Sequence, residues 1–151
     1  MPKPFPSEEF FSRLRARIAT ESARFAKLGF FDVTFGVRVS PGGPIEQPRL
    51  FLLRFEAHSC VEARELSAAS DPCLLDFVLE APYPVWQAML ASLTSRGEID
   101  PAHSINTLSH NDHPMRVSAT DPLGHDKLFR YSESVQQVFN IAGELAAADG
   151  P

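Results

Sequence analysis

Cysteine and basic residues are scarce in this chain of 151 residues. The two cysteines, Cys60 and Cys73, have neither a CxxC nor a zinc-finger spacing, which predicts reduced thiols. Fourteen Lys and Arg stand against nineteen Asp and Glu, so the formal net charge is −5. Nucleic acids and anionic membranes attract Lys and Arg, and this balance therefore favours neither as a partner.

Long apolar runs and the common nucleotide and hydrolase motifs are missing as well. No stretch approaches the ~18 apolar residues of a membrane-spanning helix, and the first residues, MPKPFPSEEFF, contain no apolar signal core. The P-loop, GxGxxG and GxSxG patterns are absent. We therefore expect a cytoplasmic protein with no stable membrane insertion and no cofactor.

Phenylalanine is abundant, since it supplies twelve residues beside one Trp and two Tyr. Its side chain has no polar group that needs a hydrogen-bond partner when buried, so an interior rich in Phe is unusually dry. Such an interior is either a solid core or a core that encloses a greasy cavity. Composition leaves both interpretations open.

Apolar spacing in the first half of the chain predicts a helix followed by strands. After an N-cap at Ser7, apolar residues from Phe10 to Leu28 keep helical spacing, which predicts one amphipathic helix that ends at Gly29. Period-two alternation then predicts two strands joined by the loop SPGGPIEQP and a third strand farther on, with an ambiguous stretch at 61–70. These strands cover residues 31–39, 51–57 and 75–80.

The second half of the chain reads as helix, strand and helix. A helix carries Trp86, and Asp100–Pro101 caps a short helix after it. A strand at 115–120 is ended by Asp121–Pro122 and Gly124, and a long helix follows at 128–145. Strands grouped without regular βα alternation predict an α+β fold, here a single domain over 1–151 with flexible ends at 1–6 and 147–151.

Two segments carry a resemblance to a known family: WQAMLASLTSRGEIDP at 86–101 and MRVSATDP at 115–122. The aromatic-led helix with its Asp-Pro, and the apolar strand that ends in an acid, are similar to the sterol carrier protein 2 family. The resemblance implies a single, mostly antiparallel sheet of about five strands covered on one face by helices. It also implies non-covalent binding or intracellular transport of a hydrophobic lipid-like ligand, such as a fatty acyl chain or sterol, with a lipid-handling enzyme as a candidate partner.

The walls of such a cavity are expected on the covered face of the sheet and on the inner faces of two helices. Each of these residues would otherwise belong to ordinary core packing. The predicted ligand-binding residues are Phe77, Leu79, Trp86, Met89, Leu90, Leu93, Ile105, Val135 and Phe139.

Candidate chemical groups are few. His110, Asp112 and His113 could ligate a metal, but they lie in a polar loop before a proline, so we expect them to face solvent. We predict no metal ligand and no catalytic residue. The alternative is a small enzyme of the isomerase, cyclase or hydratase type, which needs a titratable group in the same cavity. The titratable candidates for that role are His58, Asp76, Glu98 and His103.

Overall fold

In the computed structural model, residues 3–67, 75–110 and 113–149 are described. The strands in these ranges are β1 (Val33–Ser40), β2 (Arg49–Glu56), β3 (Ser59–Leu66), β4 (Phe77–Pro82) and β5 (Arg116–Ser118). The helices are α1 (Glu8–Thr20), α2 (Ser22–Ala26), α3 (Tyr83–Ala91), α4 (Ile105–Leu108), α5 (Pro122–Arg130) and α6 (Ser132–Asp149), with a 3-10 turn at Pro101–His103.

The strands form one mixed sheet in the order β3-β2-β1-β4-β5. Three of the pairs are antiparallel, and β1 pairs with β4 in parallel, so that Phe35 lies opposite Phe77. The predicted α+β class, the five strands and the antiparallel pairing of the first two strands are confirmed. The parallel pair at the centre is a feature that the sequence pattern alone did not indicate.

One face of the sheet is covered by helices and forms the main core. Because successive residues of a strand point to opposite faces, the alternating apolar residues of the central strands all enter this core. Their side chains are at most 3% exposed: Val33, Phe35, Val37, Val39, Phe51, Leu53, Phe55, Phe77, Leu79 and Ala81. The opposite face carries a smaller apolar cluster of Leu52, Leu66 and Leu75.

The predicted first helix is two helices, and the prediction of one continuous helix was wrong. Glu21 leaves the helical conformation at φ −114° and ψ 25°, and its N–H donates to the carbonyl of Ile18. The break redirects α2, so that Arg24 reaches Gln137 and Glu144 on α6. Hydrophobic spacing does not register such a break, because Glu21 lies on the polar side of the pattern.

The ambiguous stretch at 61–70 contributes β3, an edge strand. Its residues are half-buried on both faces, which explains why alternation fades there. Helix α1 runs beside this edge, where Arg15 donates to the carbonyl of Cys60 at 3.4 Å and Glu8 accepts from the N–H of Glu65 at 3.3 Å. The helix thus satisfies backbone groups that an edge strand otherwise leaves open to pairing.

The last helix is also divided. Helix α5 begins at Pro122 and ends at Arg130, Tyr131 follows with a φ of −108°, and α6 starts at Ser132. Gly124, which we predicted to end a strand, lies inside the first turn of α5. A Cβ at Gly124 would lie 1.8 Å from the carbonyl oxygen of Asp76, so glycine is required there for the helix to approach β4.

Candidate functional site

All nine predicted ligand-binding residues belong to the same apolar core between the sheet and the helices. Eight are buried, with at most 5% of each side chain exposed, and Leu93 is half-buried against them. Strand β4 supplies Phe77 and Leu79, helix α3 supplies Trp86, and α6 supplies Phe139. We call the interior formed by β1, β4, α3 and α6 the inner layer.

The inner layer is built from rings in direct contact. Phe35 of β1 stacks on Phe77 with centroids 5.3 Å apart and planes at 10°. Phe139 lies 6.5 Å from Phe35 and 5.4 Å from Trp86, so ring contacts run from the sheet to both helices. Any molecule held between sheet and helices must therefore take the place of contacts that these side chains make with each other.

Trp86 is held in place by its position directly after β4. Pro82 ends the strand, and Pro84 provides a preset φ in the first turn of α3. The indole Nε1 of the fully buried Trp86 then donates to the carbonyl of Arg38 on β1 at 3.2 Å. A buried indole needs such a partner, and this hydrogen bond fixes the ring against the sheet.

Polar side chains of α6 hold the segment that closes one side of the inner layer. The Asn140 side chain, 3% exposed, accepts from the N–H of Ile99 at 2.9 Å. One turn earlier, Gln136 accepts from the N–H of Ile105 at 2.8 Å and donates to Asn140 at 3.2 Å. These bonds attach the segment 99–105 to α6, with Ile99 and Ile105 buried beneath it.

Asp76 does not face the inner layer. Its carboxylate accepts from the backbone N–H of Thr34 at 2.8 Å and from Lys127 Nζ at 3.1 Å. The residue thus links β1 to α5 at the start of β4. Its neighbours identify a structural role for this carboxylate.

The other three titratable candidates lie in different parts of the fold. His58 is in the turn between β2 and β3, and Glu98 is exposed in the loop after α3. His103 is half-buried in the 3-10 turn, which Asp100 caps as predicted by accepting from Ala102. Its Nδ1 atom is buried and has no hydrogen-bond partner among the described residues.

Metal and thiol chemistry receive little support from the geometry. His110 and His113 lie with ring centroids 6.3 Å apart and are exposed, and Asp112 lies outside the described residues. Within the described ranges, no three His, Cys, Asp or Glu side chains are grouped so that they could hold a metal ion. Burial raises the pKa of Cys60 to about 12, which keeps this thiol protonated, and Cys73 is not among the described residues.

Two depressions of the surface lie away from the inner layer. One, of about 480 Å³, is lined by Leu28, Phe30 and residues 129–134 at the joint between α5 and α6. The other, of about 460 Å³, is lined by residues 44–49 and Glu65. None of the nine predicted residues lines either depression. Sequence reasoning missed the first one, because its lining residues are far apart in the chain.

No helix within the described ranges combines the length and the apolarity needed to cross a bilayer.

Comparison with known proteins identifies the fold. No model of a known sequence family matches the chain, and no curated protein sequence does either. Among solved structures, the crystal structure of sterol carrier protein 2 is similar, with a TM-score of 0.67 and 17% identity over 91% of this chain and 96% of that one.

A second similar structure is the solution structure of a conserved hypothetical protein from Thermus thermophilus, described as a possible sterol carrier protein. It matches with a TM-score of 0.66 and 18% identity over 97% of this chain and 92% of that one. Both likenesses span nearly the whole of each chain, so they cover the sheet and the helices together. The chain therefore has the fold of sterol carrier protein 2.

Proposed function

We propose that this protein binds and carries a hydrophobic, lipid-like molecule non-covalently between the sheet and helices α3 and α6. The observation that supports this proposal best is the inner layer itself, a continuous apolar core that joins β1 and β4 to two helices in a sterol carrier protein 2 fold. The buried polar side chains of the described residues are those of Ser7, Ser134 and Asn140. Such surroundings suit an apolar guest better than a charged one.

The driving force is the removal of the ligand's apolar surface from water. Each buried methylene contributes about 0.8 kcal/mol, so ten of them offer roughly 8 kcal/mol, near the free energy of a micromolar complex. The net binding free energy is smaller than this sum, because the ligand must replace contacts within the protein such as that between Trp86 and Phe139. This balance favours a flexible single chain, which can enter between side chains more easily than a rigid block.

Trp86 provides the test, because it is the only tryptophan of the chain and lies inside the inner layer. Fatty acids that carry bromine at different chain positions should be titrated while the tryptophan fluorescence is recorded. Bromine quenches indole on contact, so quenching should be strong for one range of positions and weak for the others. The same ligand at about 100 times its dissociation constant should stabilise the fold by about 2.7 kcal/mol.

A matched pair of variants locates the guest. The double variant Trp86→Phe with Phe51→Trp moves the reporter to a buried position on β2 beside Phe11 of α1. This position belongs to the same core but lies outside the inner layer. Quenching by the brominated acids should be lost there while the thermal stabilisation remains. If the parent protein shows no quenching and no stabilisation, the proposal is overturned. Native mass spectrometry of the purified protein should detect a co-purified lipid.

A second candidate function, chemistry on an apolar substrate, rests on the buried Nδ1 of His103, which has no hydrogen-bond partner in the described part of the chain. A buried imidazole nitrogen with no partner is available to a hydroxyl or carbonyl of a guest. The extracted ligand should be incubated with the protein and analysed by mass spectrometry. If the protein converts the ligand to a product and His103→Asn does not, an enzymatic function is supported. Recovery of the ligand unaltered from the parent protein would refute this function.

A further inference from the structure

The described part of the chain exposes three large apolar side chains, and all three lie on α5 or beside it. Phe30 and Phe129 are 65% and 74% exposed, and both line the depression of about 480 Å³ at the joint between α5 and α6. Leu123, 69% exposed, lies at the other end of α5. A single exposed Leu or Phe is ordinary, whereas several in one region are typical of a surface that a partner covers.

The outward side of α5 joins these residues into one surface. Leu123, Asp126 and Phe129 follow one another in steps of three residues, which makes them neighbours on the surface of a helix. All three are exposed. We call the surface made by these three residues with Phe30 and Arg130 the α5 face.

The area of the α5 face matches what a dimer needs. Its three exposed apolar side chains present about 400 Å² of apolar surface, since a whole Phe side chain covers about 200 Å². A contact that covers this surface on two copies hides about 800 Å² of apolar area. Because apolar atoms make up about 57% of a typical interface, such a contact buries about 1,400 Å² in total. Specific, stable interfaces bury about 1,200–2,000 Å².

The shape of the α5 face complements itself. Leu123 projects from the N-terminal end of α5, and the depression that Phe30 and Phe129 line lies at the C-terminal end. A twofold axis near Asp126 would set the α5 helices of two copies antiparallel, so that Leu123 of each copy meets the depression of the other. A twofold contact is reciprocal, so one projecting side chain and one depression on the same surface serve both copies.

The charges of this arrangement are complementary with one exception. Arg130 makes no ion pair within the described ranges. In the antiparallel contact it lies opposite Pro122 of the second copy, next to the exposed carboxylate of Asp121. The hydrogen bonds with which Asp121 caps α5 both use Oδ1, so Oδ2 can accept from Arg130. The exception is Asp126, which faces its own copy across the axis and opposes association.

We propose that two copies of this chain associate through the α5 face, as a twofold dimer in which Leu123 of each copy enters the depression of the other. The second copy is the occupant that fits best, because the α5 face itself supplies the projecting side chain, the depression and the opposite charges. The inference does not depend on lipid binding, since none of the nine inner-layer residues lines the depression.

The first experiment measures association by sedimentation velocity. The parent protein should dimerise with a Kd on the order of 10 μM. Leu123→Ser should weaken the dimer about 100-fold, because each dimer loses two buried Leu side chains. Leu123→Met keeps the volume and the apolar character and should stay within about threefold of the parent. Residue 123 is exposed, so both variants should fold like the parent.

Two outcomes of this experiment decide against the proposal. A parent protein that is still monomeric at about 100 times the expected Kd would overturn it and leave the α5 face to a different protein. Equal dimerisation of Leu123→Ser and the parent would overturn it as well, because the contact would then lie elsewhere on the molecule.

The second experiment tests the charges. Arg130→Glu should weaken the dimer about tenfold, since two pairs with Asp121 are lost, and Asp126→Asn should strengthen it about threefold. The control is Arg96→Glu, which reverses the same charge in an exposed loop and should leave the Kd unchanged. Equal effects of Arg130→Glu and Arg96→Glu would contradict the arrangement.

The third experiment tests the position of the twofold axis. In a background with Cys60→Ser and Cys73→Ser, Asp126→Cys should form a disulfide between two copies on oxidation with oxidised glutathione, because residues at the axis lie within the distance of about 7 Å that a disulfide spans. Ser95→Cys, in an exposed loop, is the matched control and should stay uncross-linked. Dimerisation of the parent without cross-linking of Asp126→Cys would refute the α5 face as the interface.

Discussion

Replacing Gly124 by alanine should destabilise the protein, although alanine is the better helix former. Gly124 lies in the first turn of α5, where the Asp121 side chain accepts from its N–H at 3.3 Å. An added Cβ would lie 1.8 Å from the carbonyl oxygen of Asp76 and 2.9 Å from the Cβ of Ala119. The oxygen belongs to backbone at the start of β4, which cannot rotate away as a side chain can.

The magnitude follows from competing terms. Helix propensity favours alanine by at most about 1 kcal/mol. Against this, α5 must move outward by roughly 1.5 Å to restore an ordinary contact distance. Overpacking of this kind costs about 1–3 kcal/mol. This outward movement of α5 also strains the ion pair between Lys127 and Asp76, which is half-exposed and contributes less than about 1 kcal/mol. It strains the helix cap at Asp121 as well, which contributes about 1 kcal/mol. The expected net loss is about 2–3 kcal/mol.

Denaturant unfolding followed by circular dichroism measures this loss, and the midpoint of thermal unfolding should fall by about 5–10 °C. The matched control is Gly143→Ala in α6, where the new Cβ would lie 3.1 Å from Ile99 Cδ1 and 3.3 Å from the carbonyl oxygen of Leu90. That variant should stay within about 1 kcal/mol of the parent, since the contact is milder and a side-chain end can yield. If Gly124→Ala is as stable as the parent, the close approach of α5 to β4 is wrong.

Two other predictions test the interior. Asn140→Leu removes the acceptor of the Ile99 N–H and should lower the free energy of unfolding by about 1–3 kcal/mol, with faster hydrogen exchange at the Ile99 amide. The exposed control Asn106→Leu should change neither quantity. If the Ile99 amide exchanges equally fast in Asn140→Leu and in the parent, the attachment of this segment to α6 is contradicted. Burial raises the pKa of Cys60 from 9.0 to about 12, so the unfolded state loses this proton first and stability falls between about pH 9 and pH 12. In a Cys73→Ser background, Cys60→Ser should reduce the slope of this fall in stability by up to about 1.4 kcal/mol per pH unit. If the stability of the proteins with and without Cys60 falls equally with pH, the raised pKa of Cys60 is refuted.

The elements that sequence reasoning placed well have one face in the core and one in solvent. In β1 and β2 every second residue is buried, so Phe35 and Phe55 are recognised as inward-facing without knowledge of their neighbours. Strand β3 escaped this reasoning because its two faces are buried to a similar, partial extent. The breaks at Glu21 and Tyr131 escaped it because each leaves the hydrophobic spacing on both sides intact.

The candidate site divides in the same way. The resemblance to the sterol carrier protein 2 family selected the nine predicted residues, and the structure brings them into one core. Their role as walls for a ligand stays a proposal, since an identical pattern is produced by ordinary packing. The depression at the joint between α5 and α6 lay beyond sequence reasoning, because Phe30 and Phe129 are distant in the chain and line it together only when this joint packs against the segment between α2 and β1.

By itself, the sequence determined which side chains avoid water, where most helices and strands lie, and the class of fold, because these follow from local spacing and from burial of one face. Tertiary structure alone decided the parallel pairing of β1 with β4, the burial of Ser134 and the exposure of Phe129. These depend on contacts between residues far apart in the chain. Their free energies arise only when the helices settle on the sheet, and no local pattern encodes them.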